Sequence, residues 1–255
     1  MTFEYIGVDQ AIASHGLRMV VLDGVPSPWS EAAKGFFHLK RIPWVATRLV
    51  YDSEALKVWA GQLSAPIVAF DGEPRRSGWE EILMLAERLA PLPALLPTNA
   101  DARMRALELA AKFCGPDGLG WTRRLQNVHA GLKKIGGFNE RIAAYLGQKY
   151  GYTPEVGTTA GARTRELLDA FGSTLRARRA AGKEYYLDAL SAVDVYSATF
   201  MALFKPLPES VCPMNPGVRA AFEWLDAETA AAIDPILFEH RDMMYARHLE
   251  LPLSL

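Results

Sequence analysis

Among the residues that could do chemistry, Ser27 has the most suggestive setting. It lies in Val25-Pro26-Ser27-Pro28, just after an Asp23-Gly24 break. Apolar residues recur beyond it at three- and four-residue spacing: Trp29, Ala32, Ala33, Phe36 and Phe37. That period predicts a helix starting at Pro28, where a missing N–H costs nothing. Ser27 then occupies the N-cap, and its hydroxyl either accepts from the free N–H groups of the first turn or faces a ligand. A hydroxyl at the positive end of a helix dipole suits an anion, and a thiolate is one.

The other candidates are sparser. Ser30 reads as first-turn polarity. Trp121, in Gly118-Leu119-Gly120-Trp121-Thr122-Arg123-Arg124, is either the wall of a hydrophobic substrate pocket or a core tryptophan, and Arg123-Arg124 reads as a solvated face. Cys114 and Cys212 form no CxxC motif and read as small buried apolar residues. His15, His38, His129, His240 and His248 show no His-x-x-x-His spacing, so no metal site is expected. His240 and His248, two turns apart on an expected helix, read as surface or packing residues. The Gly-x-Ser-x-Gly pattern of a nucleophile elbow is absent.

These residues need elements to hold them. After an extension over residues 1–16 with one short helical turn, Leu17–Leu22 is an apolar run suited to a buried strand. A helix over Pro28–Arg41 follows, then a β-branched strand over Val45–Val50, a capped helix from Ser53 and a strand over Pro66–Phe70. Asp71-Gly72 marks a hairpin turn into a short fourth strand, Glu73–Arg76. Ser77-Gly78-Trp79-Glu80 has capping-box spacing: Ser77 accepts from the Glu80 N–H and the Glu80 carboxylate reaches back. Its helix runs to Leu89. The order is β-α-β-α-β-β-α.

Pro91, Pro93 and Pro97 then interrupt the pattern across Ala90–Thr98, a linker between domains at 1–93 and 98–255. Beyond it the signal is helical: Ala102–Phe113, Trp121–Lys134, Asn139–Tyr150, Arg163–Arg179, Ala192–Leu203, Pro216–Leu225, Ala227–Ile233 and Pro235–Leu249.

Bulk properties narrow the class. The chain has 255 residues, is 50% hydrophobic and carries a formal net charge of -1, so a sizeable core is available and no basic footprint for nucleic acid exists. Glu4 and Asp9 stand where a secretory signal would carry a basic segment and an apolar core, and no apolar run is long enough to span a bilayer. The expectation is a soluble cytoplasmic protein.

The element order, an α/β unit followed by an all-helical part, resembles the cytosolic glutathione transferases. Three motifs carry the likeness. Ser27-Pro28-Trp29-Ser30 resembles the Ser/Cys-Pro-Phe-x motif at the first helix. Ser64-Ala65-Pro66-Ile67-Val68 resembles x-Val-Pro-x-Leu, whose proline is cis. Tyr185-Tyr186-Leu187-Asp188-Ala189-Leu190-Ser191-Ala192-Val193-Asp194 resembles the N-capping box and staple segment, with Ser191 as cap, Asp194 at N3 and Leu190 with Val195 as the staple.

The resemblance implies a thioredoxin-like N-terminal domain and an all-α C-terminal domain. It also implies a homodimer and a detoxification-type transferase with glutathione as co-substrate and a small hydrophobic electrophile as its partner. Ser27 would donate to the glutathione thiolate without itself attacking. Trp29, Ser30, Ala65, Pro66, Arg76 and Ser77 would surround the tripeptide, with the backbone of Ala65 pairing to its cysteinyl unit and Trp121 walling the electrophile. The competing readings are that Trp29 packs at the site rim and that Arg76 is an ordinary exposed arginine.

Two departures stand out. Arg76-Ser77 replaces the usual acid-serine pair, so Arg76, Ser77 and the helix start would take the γ-glutamyl carboxylate. Ala189 replaces the usual glycine. Serine at both 27 and 30 disfavours a cysteine-type thiol reductase, and no tyrosine near the end of the first strand supports a tyrosine-type enzyme. A non-catalytic binding module on the same fold is the alternative. The ending from Phe238 to Leu253 matches no general motif of the superfamily and reads as a subgroup feature.

Overall fold

A computed structural model describes residues 5–255. Within it, strand β1 (Leu17–Val21) is buried along its whole length. Both its faces are covered, which explains why it reads as a continuous apolar run and not as an alternation. Leu17, Met19 and Val21 point into the main core, while Val20 joins a second cluster with Leu56, Ala60 and Ile67. This is the period-two geometry of a strand between two layers.

Helix α1 (Val8–Ala13) precedes β1, and α2 (Pro28–Leu39) carries the chain to β2 (Trp44–Arg48), which pairs parallel to β1. Helix α3 (Glu54–Ala60) leads to β3 (Ile67–Phe70), antiparallel on the other side of β1, so the sheet order is β2-β1-β3. Helix α4 (Trp79–Leu89) closes this thioredoxin-like unit.

The expected fourth strand reduces to one antiparallel bridge, Val68 to Arg76, with N–H···O distances of 2.7 and 2.9 Å. That register puts Pro74 opposite Phe70, where the next pair of hydrogen bonds would form, and proline has no N–H to donate. The capping box also shifts by one residue. Gly78, not Ser77, is the N-cap of α4, and the Glu81 carboxylate accepts from the Gly78 N–H at 3.1 Å.

The helical part comprises α5 (Ala100–Cys114), α6 (Leu119–Leu132), α7 (Glu140–Tyr150), α8 (Pro154–Ala180), α9 (Ala192–Phe200, extended by a 3-10 turn to Leu203), α10 (Pro216–Glu223), α11 (Ala227–Ala232) and α12 (Pro235–Arg247). Helix α8 begins nine residues before the expected Arg163. Its first turns, rich in Gly and Thr, are poor helix formers. Thr153 caps them by accepting from the Val156 N–H, Pro154 sits at N1, and packing on α6 supplies the rest. A Cβ at Gly157 would fall 2.3 Å from His129 Nδ1, so the glycine permits the close approach.

The Ser191–Asp194 box forms as expected. The buried Asp194 accepts from the Ser191 N–H at 2.9 Å and from the Tyr186 N–H at 3.0 Å, and His240 Nε2 lies 3.3 Å away. Helix α9 packs against α2, joining the two parts through one core. The C-terminal segment lies back on α2, where Lys34 Nζ donates to the Ser254 carbonyl and to Glu31, each at 2.7 Å. No helix among the described residues is long and apolar enough to cross a membrane.

Candidate active site

The loop from β1 to α2 turns at Gly24, whose φ of +65° favours glycine. Ser27 adopts N-cap geometry: its carbonyl accepts from the Glu31 N–H at 2.8 Å, yet its side chain makes no capping hydrogen bond. Although only 2% exposed, Ser27 lines a cleft between the two parts of the molecule. Its hydroxyl is therefore not engaged by the helix it begins, and it lies where that helix presents first-turn N–H groups with no intrahelical partner.

The cleft holds about 380 Å³. Ala65 and Pro66, joined by a cis peptide bond, and Ser77 border it from the sheet side. Trp29 lies at its floor, anchored to the helical part: its Nε1 donates to the Cys114 carbonyl at 3.0 Å, and its ring meets Phe200 edge-on at 4.9 Å. From α7, Tyr145, Lys149 and Tyr150 form the opposite wall. Lys149 Nζ donates across the cleft to Ser64 Oγ at 2.9 Å. Tyr51, from the β2–α3 loop, meets Tyr145 edge-on at 6.2 Å. Burial, and then Tyr145, push the Tyr51 phenol up to about 12. Desolvation and the neighbouring Arg124 hold the Lys149 ammonium below its ordinary range.

A second, apolar compartment of about 490 Å³ continues from this cleft, lined by Val25, Phe138, Ile142, Val218 and Phe222. Leu22, Tyr51, Arg124, Tyr145 and Leu146 border both spaces.

No family model and no curated protein matches this sequence. Solved structures do. The chain is 12% identical to a glutathione S-transferase from Methylobacillus flagellatus with glutathione bound, covering 91% of this chain and 96% of that one at a TM-score of 0.61. It is 16% identical to a glutathione S-transferase from Methylobacterium radiotolerans in complex with glutathione sulfonate, covering 91% of each at 0.59. For the Omega 3C glutathione transferase of Trametes versicolor the figures are 16% identity, 94% and 89% coverage, and 0.55. This is the glutathione-transferase fold.

On that fold, Ser27, Trp29, Ala65, Pro66, Ser77 and Trp121 come together in the one cleft. Trp121 stacks edge-on against Tyr150 at 4.6 Å, beside Ser27's cleft and not in the apolar compartment. Two expected residues do not join them. Ser30 is buried with its Oγ lacking a partner among the described residues and does not line the cleft, because the α2 spacing turns it inward. Arg76 faces the outside of α4, where its guanidinium donates to Glu73 at 2.6 Å and Arg88 shares that carboxylate. Hydrogen bonds from Arg88 and Arg76 hold the Glu73 carboxyl below its usual range. The Gly78 N–H at the α4 start is already taken by Glu81.

Arg123-Arg124 is not a solvated face. Arg123 is fully buried and Arg124 is 8% exposed. Arg124 and Lys149 are the cationic cleft residues that sequence reasoning missed, and Tyr51, Tyr145 and Tyr150 went unnamed with them. Tyr145, Leu146, Lys149 and Tyr150 do share one face of α7, but such a stripe reads the same as any amphipathic helix. Both cysteines are buried, and burial pushes the Cys114 thiol up and that of Cys212 to about 11. Among the described residues no group of His, Cys, Asp and Glu is placed to hold a metal ion.

Proposed function

We propose that this protein is a glutathione-dependent transferase in which Ser27 stabilises the glutathione thiolate. The observation that carries this reading is the Ser27 hydroxyl, free of any capping bond, lining the same cleft as Ala65 and Ser77 at the N-terminus of α2. A free thiol has a pKa of about 8.5, so only a few per cent is ionised near neutrality. A hydroxyl donor and a helix N-terminus both favour the thiolate. In this reading the tripeptide backbone pairs with Ala65, Ser77 receives the γ-glutamyl carboxylate, and Lys149 offers its ammonium to the other carboxylate. The thiolate attacks an electrophilic carbon presented from the apolar compartment. The working form is a homodimer, to be checked by light scattering for a mass twice the 28.1 kDa of one chain.

Calorimetry with glutathione at millimolar concentration, followed by conjugation of a model aryl halide, tests the proposal. Binding with turnover that falls in Ser27→Ala supports it, and no binding ends it. One observation favours the second reading, a non-catalytic module on this fold: among the described residues no carboxylate lines the cleft to meet the α-ammonium of glutathione. Binding without turnover of any electrophile would decide for that module.

A further inference from the structure

Arg124 is a buried cation without a counter-ion among the described residues. Among the described residues its Nε is buried with no hydrogen-bond partner, and no carboxylate of theirs lines either space that it borders. Its contacts are aromatic: the guanidinium carbon lies 5.3 Å from the Trp29 ring centroid and 5.7 Å from that of Tyr150. Ring faces offset part of the cost of desolvating a guanidinium, but they leave its in-plane N–H donors unused. Its neighbour Arg123, buried still more completely, has its donors engaged by the Leu203, Phe222 and Trp224 carbonyls and by Gln126. The contrast marks Arg124 as a cation whose partner arrives from outside.

Arg124 stands at the junction of the cleft and the apolar compartment. A molecule whose body fills the apolar side presents its polar end there. Planar guanidinium donors match a carboxylate in two parallel hydrogen bonds. Lys149 donates to Ser64 at the other end of the cleft, where the reading above gives it to the tripeptide.

Resting on the glutathione-binding reading above, we propose that Arg124 determines specificity for the second substrate. That substrate is an electrophile with a flat apolar body and a carboxylate, which Arg124 binds while Phe138, Ile142 and Phe222 enclose the body.

The test uses a charged probe and its neutral counterpart, para-chloro-meta-nitrobenzoate and its methyl ester. In each, the glutathione thiolate forms a C–S bond, the C–Cl bond breaks, chloride leaves with the electron pair, and the thiol proton has gone to solvent. Each rate is divided by the uncatalysed rate for the same probe. The expected result is an enhancement about ten-fold or more larger for the acid than for the ester, the scale of a charge-assisted hydrogen bond. In Arg124→Met the ratio falls to about one, and in Arg124→Lys part of it returns. Equal enhancement of acid and ester by the native chain overturns the proposal. So does weaker glutathione binding in Arg124→Met, which would assign the arginine to the tripeptide.

Should Arg124→Met not fold, competition on the native chain decides: para-chlorobenzoate inhibits about ten-fold more strongly than para-chlorobenzamide, and equal inhibition overturns the proposal. Calorimetry before any electrophile is added separates failure of the glutathione reading, which removes both, from failure of the Arg124 assignment alone.

Discussion

Arg123 and Arg124 are neighbours in sequence and both buried, yet their guanidinium groups have opposite surroundings. Arg123 donates to the Leu203 carbonyl at 3.2 Å and to the Trp224 carbonyl, tying α6 to the turn after α9 and to the end of α10, and to Gln126 on its own helix at 2.9 Å. Burial lowers its pKa to about 9, with Asp226 opposing the shift. Arg124 has no such acceptors among the described residues. Replacing Arg123 by methionine strands several buried carbonyls and is expected to cost about 3–5 kcal/mol. Arg124→Met removes an uncompensated charge and is expected to stay within about 1 kcal/mol of the native chain. Urea unfolding of the two variants measures the difference.

Ser27→Ala is expected to separate activity from stability. An ordinary N-cap serine contributes about 1 kcal/mol, but this side chain makes no capping bond. Chemical denaturation should therefore place the variant within about 0.5 kcal/mol of the native protein. Its rate of conjugation should fall, and the apparent pKa in its pH–rate profile should move up toward about 8.5, the value of a free thiol. A cap-sized loss of stability with an unchanged profile would refute this assignment.

Gly120→Ala should disturb the cleft from beneath. A Cβ there would lie 2.4 Å from Phe200 Cε1 and 2.7 Å from Trp29 Cη2. Overpacking of this kind costs about 1–3 kcal/mol. Because Trp29 borders the cleft and its Nε1 is fixed to the Cys114 carbonyl, the relief of that clash shifts the floor of the site. Thermal unfolding should show the loss of stability, and calorimetry should show weaker glutathione binding than in the native chain.

Stability should fall in acid through Asp226 and Asp234. Desolvation alone would raise both carboxyls, but hydrogen bonds outweigh it and hold both below the usual range: from Thr229 and Gln126 to Asp226, and from Arg176 and the Ile236 N–H to Asp234. A folded pKa below the unfolded value of about 3.9 means that the unfolded chain binds more protons in that window. The stabilisation is therefore fully present above about pH 5 and is lost as the pH falls through 3.9 and on through the lower folded value. Urea midpoints measured across this range should drop for the native chain, and Asp234→Asn should show a shallower drop from a lower starting point.

The local signals in the sequence were sufficient for much of this molecule. Hydrophobic periodicity defined β1, α2 and most later helices, because each buries a face whose spacing is written in consecutive residues. Ser27-Pro28 located the start of α2, and Ser191 with Asp194 located that of α9, because caps depend on neighbours three residues apart. Where those residues end up, and what they touch, was decided elsewhere. Only the folded chain shows that Ser27 leaves its hydroxyl to the cleft, that Pro74 falls opposite Phe70 and stops a fourth strand, and that Arg76 turns away to Glu73. Gly157 permits α8 to start early because His129 packs there, a contact spanning 28 positions (157 minus 129). Arg123 and Arg124 look alike in the chain and part company only where α6 meets Leu203, Trp224, Trp29 and Tyr150. Burial and partners for a charged side chain come from residues distant in sequence, and no local spacing encodes them.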